Sequence, residues 1–125
     1  LRKSAVFQED RLCENAGAVS NIRLVKPALT KGETEGMLRE LGLCDSLRQP
    51  VRTLSGGMKR RVAILRALAA DYDELFSDEP FKGLDQDTKT LVMGYFVRKT
   101  QGKTVILVTH DKSEAQALGG GLLLL

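Results

Sequence analysis

The order of apolar and polar positions divides the chain into short elements. Ala5-Val6-Phe7 is a brief apolar run closed by the polar Gln8-Glu9-Asp10-Arg11, and it predicts a strand. Ala18, Val19, Ile22 and Val25 share a face at helical spacing, which predicts a helix over 15–26 that Pro27 ends. Thr30 and Glu33 stand in capping-box relation ahead of Met37, Leu38 and Leu41. A second helix is therefore expected over 31–41, weakened by Gly36 and stopped by Gly42. One more helical turn is expected over 45–49, before Pro50. Next, Met58, Val62, Leu65 and Ala69 recur at helical steps behind Ser55, a good N-cap. After them Leu75-Phe76-Ser77 runs into Asp78-Glu79, and Pro80 stops it. Gly83-Leu84-Asp85 reads as a turn. A helix follows over 87–100, with Leu91, Val92, Tyr95 and Phe96 pairing along it and Gly102 closing it. Residues 104–109 form the clearest strand, and their unbroken apolar run predicts burial on both faces. A short helix over 113–118 and a last apolar segment, 122–125, that reads as a strand complete the pattern.

Strand, helix, strand from 75 to 109 is a βαβ unit, whose strands run parallel through a right-handed crossover. Parallel strands share one carboxyl edge. Asp78-Glu79 and His110 each lie just past a strand end, so both are expected at that edge, where open α/β sheets bind ligands.

Composition narrows the class. The 125 residues are about one domain's worth, and the mix of charged and apolar residues is that of a globular chain. The net charge of +3 is mild and the basic residues are scattered; the tightest group, Lys59-Arg60-Arg61, fans around a helix axis. That pattern argues against nucleic acid as a partner. No apolar run approaches the ~20 residues that span a bilayer, and no signal-peptide core opens the chain. Cys13 and Cys44 lack metal-site spacing, so two reduced thiols and a cytoplasmic setting are expected.

The chemistry gathers around a few residues. Ser55, Gly56 and Gly57 open a helix whose free N–H groups suit a phosphate, although an ordinary capped helix has the same form. Asp78 is placed to hold Mg²⁺, directly or through water. Glu79 is placed to orient or deprotonate an attacking water, His110 to donate to a terminal phosphate, and Gln8 to reach the metal or the water. A solvated turn and a strand-end histidine are the plainer readings of Asp78-Glu79 and His110. Together with the glycine-opened helix, the set fits phosphoryl transfer, which rests on positioning and electrostatics.

This set resembles the nucleotide-binding domain of ABC transporters. Gln8 looks like the Q-loop glutamine, and Leu54-Ser55-Gly56-Gly57 like the LSGG signature. Leu75 to Glu79 resembles the Walker B strand with its catalytic glutamate, Gly83-Leu84-Asp85 the D-loop, and His110 the switch histidine. The resemblance implies an α/β fold, an incomplete P-loop NTPase-type parallel sheet with a helical subdomain. It assigns residues 1–10 to a core strand and Q-loop and 11–53 to a helical subdomain that docks on membrane subunits. Residues 54–125 become the signature helix, Walker B, D-loop and switch part of the ATPase core. ATP and Mg²⁺ are the implied cofactors, with Glu79 and His110 catalytic. Gln8, Ser55, Gly56, Gly57 and Asp85 would contact the nucleotide, and Asp78 and Gln8 the metal. The implied partners are a second ATP-binding subunit, arranged head to tail, and transmembrane permease subunits at the inner face of the membrane. Phe7-Gln8-Glu9-Asp10 and Pro80-Phe81 are most similar to importer ATPases of the nitrate, sulfonate and taurine group.

The sequence also departs from that family. The phosphate-binding loop G-x-x-x-x-G-K-[ST] is absent, and Gly102-Lys103-Thr104 leads into a strand rather than a helix. Glu74 and Ser77 stand where the Walker B strand is usually apolar. Upstream sequence carrying the loop is the expectation. The competing reading is a naturally short protein that binds a partner and hydrolyses nothing.

Overall fold

The computed structural model describes residues 1–45 and 47–119. Three strands, β1 (Lys3–Val6), β2 (Glu74–Asp78) and β3 (Thr104–Val108), form one parallel sheet in the order β1-β2-β3. Five helices accompany them: α1 (Ala18–Val25), α2 (Lys31–Glu40), α3 (Gly56–Ala69), α4 (Gln86–Lys99) and α5 (Lys112–Ala117). The α/β architecture is the one the pattern predicts, with each strand within two residues of its expected bounds. The apolar segment 122–125 lies outside the described residues.

Register fixes what each sheet face shows. Val6 pairs with Ser77 and Ser77 with Leu107; one residue earlier, Ala5 pairs with Phe76 and Phe76 with Ile106. Since successive side chains alternate, Ser4, Val6, Leu75, Ser77, Val105 and Leu107 share one face. That face is covered: Val6, Leu75 and Ser77 are buried, and Ser4 Oγ donates to the carbonyl of Ala67 on α3 at 2.8 Å. The other face is not. Phe76 is 40% exposed, Ile106 54% and Val108 42%. The expected two-sided burial of β3 therefore fails, because among the described residues nothing lies against the Phe76–Ile106 side. Ser77 sits in the covered face with its hydroxyl unpaired among the described residues.

The helices form for the local reasons the sequence gives. Thr30 and Glu33 make both bonds of a capping box on α2, and Gly42 takes φ +79°, the left-handed turn that ends it. Ser55 accepts from Met58 N at α3, and Asp85 from Thr88 N at α4. Ile22, Leu38, Leu41, Val51, Val62, Ile64, Leu65 and Leu75 are fully buried in one core, and Phe81 meets Phe96 edge-on at 5.4 Å.

Some elements depart from the pattern. α1 begins at Ala18, and Val25 points out at 41% exposure, as Leu24 does at 62%. The segment before Gly17 is instead held by Asn21, fully buried, whose amide binds Cys13 on both backbone atoms and the Gly17 carbonyl. A 3₁₀ turn over Val51–Thr53 follows Pro50, and the helical turn expected over 45–49 includes residue 46, which lies outside the described residues. An isolated bridge between Gly17 and Pro50 ties these two segments together.

Candidate active site

Each strand delivers its polar residue to the same edge. Gln8 follows β1, Asp78 ends β2, and His110 follows β3. Gln8 Nε2 donates to Asp78 Oδ1 at 3.2 Å, so the amide and the carboxylate face each other. Glu79 takes φ +48°, a left-handed conformation that costs a side-chain-bearing residue energy. Its backbone N–H is held by the Val108 carbonyl at 2.8 Å. The turn brings its side chain back to β3, where Oε1 accepts from His110 N at 3.0 Å and lies 3.4 Å from His110 Nε2. The Glu79 side chain is 12% exposed, whereas the His110 ring is 95% exposed. An open cleft of about 330 Å³ is lined by Gln8, Glu79, Lys82, His110 and Asp111.

The backbone around His110 is pinned from α4 and α5. Lys89 Nζ lies 2.9 Å from Asp111 Oδ2 and 3.1 Å from Glu114 Oε1. Glu114, buried, also accepts from Thr109 Oγ1 at 2.6 Å, and Thr109 Oγ1 in turn accepts from Asp111 N at 3.1 Å. Hydrogen bonds from Ser113 and from Lys89 hold the Asp111 carboxyl down at about 2, and the same bond to Asp111 raises Lys89 above its ordinary range. The residues on both sides of the histidine are thus fixed while its ring faces solvent. Lys82, Lys89, Asp111 and Glu114 were not legible as site residues in the sequence. The spacing of Asp111 and Glu114, three apart at a helix start, was the one available sign.

Ser55, Gly56, Gly57 and Asp85 are not among the residues lining the cleft; they form a second group. Gly56 and Gly57 are the first residues of α3, and a Cβ on Gly57 would come 3.8 Å from Leu84 Cδ2, beside the turn that leads to Asp85. A Cβ on Gly56 would meet nothing within 4 Å. Asp85 accepts from Thr88 N at 2.8 Å and Thr88 Oγ1 at 3.0 Å, and these bonds, the backbone one first, lower its pKa. The structure therefore unites four of the predicted residues, Gln8, Asp78, Glu79 and His110, and sets the other four apart.

As donors, the Asp78 carboxylate and the Gln8 amide offer the hard oxygens a magnesium ion takes, once the amide turns its oxygen inward. No group of three or more His, Cys, Asp or Glu residues suited to a metal occurs among the described residues. A divalent ion here would thus complete its shell from water and ligand.

The chain is 37% identical over 122 residues to the aliphatic sulfonates import ATP-binding protein SsuB of Cupriavidus necator, covering 96% of this chain and 40% of that protein. It is 32% identical over 127 residues to the taurine import ATP-binding protein TauB of a Jannaschia species, covering all of this chain and 47% of the relative. It thus spans about half the length of the relatives it matches. Among solved structures, a dimeric ATP-binding cassette in a post-hydrolysis state with ADP and Pi superposes with a TM-score of 0.77 at 29% identity, over 93% of this chain and 55% of that one. The family model described as ABC transporter matches residues 2–82, more than half of the sequence, and the chain accordingly belongs to the ABC transporter family.

Proposed function

We propose that the chain is the signature-and-switch part of an ATP-hydrolysing importer subunit. The observation that carries this reading is the convergence of Gln8, Asp78, Glu79 and His110 at one sheet edge. Asp78 and Gln8 would hold Mg²⁺, which when bound offsets the charge of the β- and γ-phosphates. Glu79 accepts a proton from the attacking water. His110, with its ring exposed and its backbone fixed, donates to the terminal phosphate. The relatives named for sulfonate and taurine import support an importer.

Ser55, Gly56 and Gly57 serve a different nucleotide in this reading. They stand apart from the cleft, and among the described residues nothing lies within 4 Å of a Cβ placed on Gly56. Glycine in a helix costs about 1 kcal/mol relative to alanine, and close approach of a phosphate to the helix start is a reason to retain it. A second subunit, docked head to tail, would present its ATP there. Residues 11–53 would meet permease subunits, placing the protein at the cytoplasmic face of the membrane. No helix among the described residues is long and apolar enough to cross one.

The sequence holds no phosphate-binding loop of its own, so the test uses an assembled ATPase: the whole chain, a segment supplying that loop, and a second copy. Glu79→Gln keeps size and hydrogen bonding but removes basicity. Nucleotide binding is expected to persist while turnover falls about 10²- to 10⁴-fold. Equal turnover of the variant and the parent would exclude Glu79 as the base.

A further inference from the structure

The three adjacent cations Lys59-Arg60-Arg61 each reach a different segment. Lys59 lies 3.5 Å from Glu14, and Arg61 donates to the Leu41 carbonyl at 2.8 Å. Arg60 is the unusual one. It is 6% exposed, and all three nitrogens of its guanidinium are directed at the stretch that carries Gln8. Nη1 donates to the Phe7 carbonyl, Nη2 to the Gln8 carbonyl, and Nε lies 3.4 Å from Asp10 Oδ1. Arg66, further along α3, donates to the carbonyls of Asp10 and Arg11 at 3.0 and 2.9 Å. Arg11 takes φ +52°, so this stretch turns through a conformation its own residues do not favour. Residues 7–11 make no helix or strand, and their carbonyls are gripped from α3.

We infer that Arg60 is a positioning residue for the nucleotide site. By holding the carbonyls of Phe7 and Gln8, it fixes the Gln8 side chain against Asp78. It thereby ties the ligand-facing end of β1 to the helix that begins with Ser55-Gly56-Gly57. A planar fork with fixed donors suits this task; a lysine offers one rotating ammonium and cannot reproduce three directed contacts. Burial pushes the Asp10 carboxyl up, and Arg60, followed by Lys59, draws it part of the way back.

The inference rests on the ATPase reading, and its test separates the two. In the assembled ATPase, Arg60→Lys keeps a cation beside Asp10 but loses directed bonds to the Phe7 and Gln8 carbonyls, so the melting temperature is expected to fall modestly while the fold persists. kcat is expected to fall about tenfold with little change in KM for Mg·ATP, because Gln8 serves the metal and the water rather than the grip on nucleotide. The same substitution made in a Gln8→Ala background, read by single-turnover hydrolysis, is expected to cause no further loss, since the residue it positions is gone. Parent-like turnover of Arg60→Lys overturns the inference. So does an equal loss in both backgrounds, which would mean that Arg60 supports the fold at large. An assembled parent without ATP hydrolysis would instead overturn the reading of the site itself.

Discussion

Asp111 stands next to His110 and shows how one residue's charge reports on the site's frame. Its folded pKa of about 2 lies below the ordinary 3.8, so the ionised form favours the folded state. Its contribution is fully present above about pH 4 and is lost as the pH falls toward about 2. Lys89 has the opposite sense: its pKa is raised above 10.5, so its share is present at neutral pH and lost only on the alkaline side. Asp111→Asn is therefore expected to melt below the parent at neutral pH, and the gap is expected to close in acid. A gap independent of pH, in melts followed by circular dichroism, would remove the carboxylate from this account. At this scale the sequence was informative where a polar residue follows an apolar strand, because strand order alone brings Gln8, Asp78, Glu79 and His110 to one edge. It was silent on Arg60, Lys89 and Glu114. Their partners lie 22 to 53 positions away for the long-range pairs, and local pattern carries no sign of which distant segment a basic residue will meet.

Among the elements, those with their own start and stop signals were legible and those defined by their neighbours were not. The capping box at Thr30 and Glu33 and the serine cap of α3 formed as written. The 3₁₀ turn that Pro50 begins, a role its fixed φ suits, had no such signal in the pattern. Asp85 lies between the two cases. The sequence placed it in a turn and family resemblance gave it to the nucleotide, while the structure makes it the N-cap of α4. The two roles separate on substitution. Asparagine caps about as well as aspartate, and alanine does not. Asp85→Ala is expected to lower the melting temperature, and Asp85→Asn to restore most of it. If both variants of the assembled ATPase then lose turnover equally, the charge acts on nucleotide as well as on the helix. If Asp85→Asn turns over normally, the residue's work is the cap.

Across the whole molecule, the two faces of the sheet differ more than the strand sequences suggest. β3 reads as apolar throughout, yet Ile106 and Val108 lie open beside Phe76 while Val105 and Leu107 turn toward the core. An unbroken apolar strand says that both sides suit burial, and it cannot say that both are covered. An exposed patch of this kind promotes association, so the 125-residue chain is expected to self-associate in sedimentation, and Ile106→Thr to reduce it. Unchanged association would place the sticky surface elsewhere. The separation of the two groups of site residues also belongs to this scale. If Gln8, Asp78, Glu79 and His110 serve a subunit's own nucleotide while Ser55, Gly56 and Gly57 serve its partner's, lesions in the two groups must combine by geometry. Consider dimers carrying one Gly56→Asp signature and one disabled phosphate loop. With both lesions in one subunit, each composite site contains one of them. With the lesions in opposite subunits, both fall on the same site and the other remains intact. The opposite-subunit dimer is therefore expected to hydrolyse more ATP than the same-subunit dimer, given that one intact site turns over alone. Equal rates in the two arrangements would remove the trans role of the signature, and a faster same-subunit dimer would mean that it serves its own subunit's site.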